Sequence, residues 1–216
     1  MDNQMVQIAY NITQNPTFAN LLPLIFAPKS IETFFTEFKN YKKEISEETL
    51  NKLIESEKFQ EYLQLTIKNI LFNSMQKEGI IRHAKLLKIS YGQGIKIDRF
   101  EYSLALLKEL TEIDYFILKA LYDFQKNNNI ESANYDIHYI CNIWNKSNHI
   151  SELENSLTIS KNDIQGILNR LKGIGLIRDF TMWSGGTSGT VDPCALTPTA
   201  ETLIYLIEEG EINAEE

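Results

Sequence analysis

Apolar side chains recur at spacings of three and four along most of the chain, which is the pattern of helices that bury one face. Ser30 is a candidate N-cap, and Ile31, Phe34, Phe35, Phe38 and Tyr41 follow it on one face. Ser46 with Glu47 and Glu48 marks the next start, because acids favour a helix N-terminus. From Phe59 through Tyr62, Leu63, Leu65, Ile67, Ile70 and Leu71 to Met75 the chain is apolar on more than one side. That stretch is therefore expected to be the most buried helix of the first half. Ile80, Ile81, Ala84 and Leu87 form a narrower face, with Arg82, Lys85 and Lys88 opposite it, and Tyr91–Gly94 closes the segment as a turn. A helix over Phe100–Leu110 and a second over Ile113–Phe124 follow, the latter capped by Thr111 and facing inward through Ile113, Phe116, Ile117, Ala120, Leu121 and Phe124. Lys126–Asn129 breaks it. The mixed segment Tyr135–Trp144 fits a short helix or an insertion, and both stay open.

The stretch Ile150–Phe180 carries the most information. Ser151 is placed as the cap of a short helix holding Leu153 and Leu157, and Thr158-Ile159 forms a turn. Ser160 then caps a second helix with Asp163 at its third position, a capping box that uses Asp. Ile164, Ile167, Leu168 and Leu171 face inward at i, i+3, i+4 and i+7, while Lys161, Asn162, Gln165, Asn169, Arg170 and Lys172 remain outside. Gly173 and Gly175 end the helix. Leu176–Phe180 reads as a strand, Ser184–Gly189 as a glycine-rich reversal, and Cys194–Thr197 as the returning strand. Pro198 opens a last helix with Leu203, Ile204 and Ile207 inside.

Composition and charge narrow the classes of function. The chain has 216 residues, 43% of them hydrophobic, enough for a buried core. Its net charge of −8 is uneven. Residues 1–111 hold 14 basic and 13 acidic side chains, whereas residues 112–216 hold 7 and 16. We therefore divide the chain into a helical domain, 1–111, and a second domain, 112–216. The longest apolar run, Phe18–Ala27, is short for a bilayer and contains Pro23. Phe18–Ile25 reads as a packing or dimer segment, and no membrane association is expected. The start of the chain lacks the basic region of a signal peptide, and two cysteines make no disulfide framework, so a cytoplasmic location is expected.

Helix, short helix, helix, glycine stop, two strands and a closing helix make a winged helix-turn-helix. The expected fold is thus mainly α, an N-terminal helical domain followed by a winged helix with a small two-stranded β wing. Over residues 112–210 the sequence resembles the MarR-like bacterial regulators. The resemblance rests on Ser151-Glu152-Leu153, Thr158-Ile159-Ser160, Leu171–Ile177 and Ala195–Pro198. It implies a transcriptional regulator in which the helix after Ser160 meets the base edges of double-stranded DNA. The positions it points to are Lys161, Asn162, Gln165, Asn169, Arg170 and Lys172, with Trp183, Ser184, Thr187 and Ser188 of the wing toward phosphate or minor groove. The sequence departs from that group in having no basic wing tip, and residues 135–148 exceed a minimal winged helix. A homodimer, formed through first-half helices or the closing helix, is expected with this reading.

Alternatives come from other classes. Winged helices also bind proteins, and an acidic interaction module is the second reading. Arg82, Lys85 and Lys88, flanked by Lys77, His83, Lys96 and Arg99, form a basic stripe. It would hold a DNA backbone or an acidic partner, pair internally with the acidic half, or simply be a solvated face. Leu71–Leu121 also loosely resembles the helical part of Abi-alpha-type phage-defence proteins, through Leu71–Met75 and Leu106–Leu110. No catalytic constellation supports an enzyme. His138, Cys141, His149 and Cys194 lack the paired spacing of a zinc site, and no metal or other cofactor is expected. Gly185–Thr190 lacks the Lys-Ser/Thr ending of a phosphate loop, and a wing tip explains it better.

Overall fold

The computed structural model describes residues 28–41, 45–72, 76–131, 136–180 and 193–210. The described residues are mainly helical, with one two-stranded antiparallel sheet near the C-terminus. The first helices are α1 (Pro28–Asn40), α2 (Glu47–Glu55), α3 (Glu57–Phe72), α4 (Lys77–Gly92) and α5 (Ile97–Glu109). After them come α6 (Glu112–Asn127), α7 (Ile137–Lys146), α8 (His149–Leu157) and α9 (Lys161–Gly173). The strands β1 (Ile177–Asp179) and β2 (Cys194–Leu196) precede α10 (Pro198–Glu208). They fall into two compact units. One takes the described residues up to Glu109 and those from Leu206, and the other is Leu110–Tyr205.

Aromatic packing builds the first unit. Phe34, Phe35, Phe38, Phe59 and Phe100 are fully buried, and Phe38 meets Phe59 at 5.4 Å while Tyr62 meets Phe100 at 5.0 Å. Such ring pairs add stability beyond the area they remove from water. The helix α4 packs against α1, α3 and α5. It is more enclosed than α3, contrary to the sequence expectation. Besides Ile80, Ala84, Leu86, Leu87 and Ile89 it buries Arg82, His83, Lys88 and Ser90. The last turn of α10 belongs here too: the Tyr41 hydroxyl donates to the Ile207 carbonyl at 2.6 Å. Burial, with Glu208 and Glu37 nearby, pushes the Tyr41 pKa up to about 12. Gly210 sits so close that a Cβ there would lie 2.6 Å from the Ile89 side chain and 2.8 Å from the Leu206 carbonyl.

In the second unit α6 packs on α8 and β2, α8 on α9, and α9 on β1. The strands pair antiparallel, with Ile177 opposite Leu196 and Asp179 opposite Cys194. Gln125 of α6 pins the sheet, its side-chain oxygen accepting the Leu196 N–H at 2.5 Å in a buried position. Thr197 closes the far side, its hydroxyl donating to the Gly175 carbonyl at 2.9 Å. Gly175 adopts a φ of +78°, the left-handed turn that lets β1 leave α9.

Several boundaries differ from the sequence reading. α1 begins at Pro28, since the first helical position needs no N–H, so Ser30 lies in its first turn. α8 begins at His149 after Asn148, so Ser151 is inside it rather than its cap. The open segment Tyr135–Trp144 contains a helix, α7, whose start is held by Asp136 accepting the His138 and Tyr139 N–H groups. The inward face of α6 is turned: Tyr115, Leu118 and Tyr122 are buried, while Ile113 and Phe116 are 42% and 43% exposed. Met75 lies outside the described residues.

His83 gives the first unit a testable pH dependence. Its Nδ1–H donates to the Gly79 carbonyl at 2.8 Å, and its buried Nε2 has no hydrogen-bond partner among the described residues. Burial pushes its pKa down to about 4. Between that value and the ordinary value of 6.5 the unfolded chain holds more protons than the folded one, so stability falls as pH drops through this window. Urea unfolding at a series of pH values should show a loss of about 3 kcal/mol across it, and His83→Gln should remove most of that loss.

Candidate nucleic-acid interface

The helix α9 is fixed at its start by a reciprocal cap. The Ser160 side chain accepts the Asp163 N–H, and the Asp163 carboxylate accepts the Ser160 N–H at 3.1 Å and its hydroxyl at 2.6 Å. These bonds hold the Asp163 carboxyl below the usual carboxylate range, the hydroxyl contributing most. Thr158 makes the turn before it with a φ of +55°, a left-handed conformation uncommon for a β-branched residue. On the inner face Ile164, Leu168 and Leu171 are buried, and Ile167 is half-buried. The outer face is open: Lys161, Asn162, Asn169, Arg170 and Lys172 are exposed, and Gln165 is half-buried. The six positions named from the sequence thus share one helix. Gln165 donates to the Asn169 side-chain oxygen at 3.1 Å, joining two amides into one edge.

Each cation of α9 is engaged by an acid of the same unit. Lys161 lies 3.8 Å from Glu154, and Lys172 lies 2.5 Å from Asp179 on β1. Arg170 pairs with Asp114, whose side chain is fully buried near the start of α6. Asp114 also accepts the Thr111 N–H at 2.7 Å and its hydroxyl at 2.8 Å, completing a capping box at α6. The sequence reading names Thr111 as a cap but not this box. The signal that would have found it is the spacing Thr-x-x-Asp, the same as in Ser160-x-x-Asp163. In the structure Arg170 ties α9 to the start of α6. Trp183, Ser184, Thr187 and Ser188 lie outside the described residues.

The basic stripe is not the exposed face the sequence suggested. Arg82 and Lys88 are buried, and Lys85 is half-buried with its ammonium 4.8 Å from the centre of the Tyr41 ring. Lys88 donates to the Lys39 carbonyl at 3.1 Å, at the C-terminal end of α1 where a cation is favoured. Burial, partly offset by Glu37, pushes its pKa down to about 8. Long aliphatic stems let Lys85 and Lys88 cover apolar surface while their heads find a ring face and a helix end. These two serve the packing of α4 on α1, and with Arg82 buried the three form no exposed positive strip.

His149 stacks on Phe124 at 4.7 Å and meets Trp144 at 5.8 Å, and burial lowers its pKa although Glu152 pulls the other way. His138 is exposed, Cys141 half-buried and Cys194 buried. Among the described residues no cluster of three or more His, Cys, Asp or Glu side chains is placed to hold a metal ion. Nor is any described helix long and apolar enough to cross a membrane. Comparison of the chain with protein-family models, with curated proteins and with solved structures returned no match.

Removing Arg170 should cost stability, since it leaves Asp114 charged and buried. Arg170→Ala is expected to destabilise the second unit by about 2 kcal/mol, less than for a fully enclosed pair because the Arg170 side chain is 44% exposed and Thr111 still serves Asp114. Denaturant melts of Arg170→Ala, Asp114→Asn and the double variant should show strong coupling between the two positions.

Proposed function

We propose that the second unit is a winged helix that reads double-stranded DNA through α9, and that the chain acts as a transcriptional regulator. The observation that carries this reading is the exposed outer face of α9, backed by an inner face that buries Ile164, Leu168 and Leu171. Asn162, Gln165 and Asn169 present amides there, and amides pair the adenine edge bidentately in the major groove. The order of elements supports it as well: α6, α8 and α9 precede a short two-stranded sheet and α10. With its cations engaged by Glu154, Asp114 and Asp179, α9 would depend more on base-edge contact than on phosphate attraction. That same neutralisation favours a second reading, in which the face of α9 binds a protein.

Fluorescence anisotropy with a randomised duplex pool separates the two. DNA reading predicts saturable binding at low salt, with a log–log salt slope of only about −2 to −4. Asn162→Ala and Asn169→Ala should each weaken the selected sequence by about 1 kcal/mol or more and relax preference at one position. Absence of binding at low salt, or binding unchanged in Asn162→Ala/Gln165→Ala/Asn169→Ala, would sink the regulator reading. Arg170→Ala is a poor test, because its effect on folding would mimic a loss of contact.

A further inference from the structure

A groove of about 350 Å³ runs between α6 and α8. Its apolar surface comes from Phe116, Ala120 and Phe124 on α6 and Leu153 on α8. Phe116 is 43% exposed although every other phenylalanine with described burial is enclosed. Ile113, also exposed, continues the same line one turn earlier, so that Ile113, Phe116, Ala120 and Phe124 fall at i, i+3, i+7 and i+11. Phe124 itself is enclosed against Trp144 and His149, so the accessible line runs from Ile113 to Ala120, about 10 Å or two turns on a helix rising 1.5 Å per residue. Asp123 and Glu152 line it, one from each helix, and among the described residues no lysine or arginine does. Lys119 reaches Asp123 from along α6 at 3.2 Å in a half-exposed pair, the weak kind that a competing cation displaces readily. The second unit as a whole, residues 110–205, carries seven basic against eleven acidic side chains.

We propose that this groove is the docking site for a basic amphipathic helix of a partner protein. Its apolar side chains would lie along the Ile113–Ala120 line, and its Lys or Arg side chains would face Asp123 and Glu152. The Ile113–Ala120 line matches two turns of a helix lying against it, the mode in which apolar anchors repeat at i, i+3/i+4 and i+7. The sign of the rim selects a cationic partner over an acidic one. None of the groove residues belongs to α9, so this site does not rest on the DNA reading.

The test uses the full chain and two fluorescein-labelled helical peptides, one of Leu and Lys with leucines at helical spacing, the other with Glu in place of Lys. The Leu/Lys peptide should bind saturably and the Leu/Glu peptide should not. Phe116→Ser, Ala120→Arg and Glu152→Lys should each weaken binding about tenfold, with circular dichroism unchanged. Glu101→Lys, an exposed reversal in the first unit, should change it less than about twofold. Equal loss with Glu101→Lys would reveal general attraction to an acidic chain and overturn the proposal. So would equal binding of both peptides, or no saturable binding. Sedimentation that finds the chain self-associated and Phe116→Ser monomeric would assign the groove to a second copy and overturn it too.

Discussion

A carboxylate taken out of water must be paid for by donors, and Asp114 has them from two directions. Thr111 supplies an N–H and a hydroxyl, which closes the start of α6, and Arg170 supplies a guanidinium from near the end of α9. Because Asp114 is fully buried, these contacts are not interchangeable with water. The helix that carries the exposed amides is thereby referenced to the helix that carries Gln125, and Gln125 holds the sheet through Leu196. The three elements α6, α9 and β2 share one polar spine, while Ile164, Leu168 and Leu171 supply the apolar contact beside it. The apolar packing provides most of the driving force. The polar bonds select the register in which it occurs, since a shift of one residue on either helix would leave a buried charge unmatched.

Much of the second unit is legible in the sequence because local chemistry dictates it. Ser160 and Asp163 stand three apart at the head of an apolar periodicity, and they close the expected box. Gly173 and Gly175 end α9, Leu176 and Phe180 bracket a strand, and Pro198 opens the closing helix. What escapes is what depends on tertiary partners. The periodicity of α6 admits two faces, because Tyr115 and Tyr122 serve as core residues as well as Phe116 does; which one turns inward is decided by the packing against α8 and β2. The helix α7 is obscured by its mixture of Asn, Tyr and Trp, and only Asp136 at its cap speaks for it locally.

The candidate site divides in the same way. That Asn162 and Asn169 lie outward follows from the spacing of Ile164, Leu168 and Leu171 alone. That Arg170 and Lys172 are already engaged does not, because Asp114 and Asp179 come from other elements. Arg82 and Lys88 mislead for a related reason. Helical spacing reports the direction of a side chain, whereas burial depends on whether a neighbouring helix lies in that direction. For Lys88 it does, and the end of α1 receives its ammonium.

The ring cluster of Trp144, Phe124 and His149 has an optical consequence. Both tryptophans of the chain, Trp144 and Trp183, fall within residues 110–205, whereas the first unit relies on phenylalanine and tyrosine. Emission from Trp144 therefore reports on the second unit, while tyrosines occur in both. The His149 ring lies 5.8 Å from Trp144, and burial favours its neutral form, so its quenching of that indole grows only as the pH falls. The opening of the second unit can thus be followed without attaching a label to it.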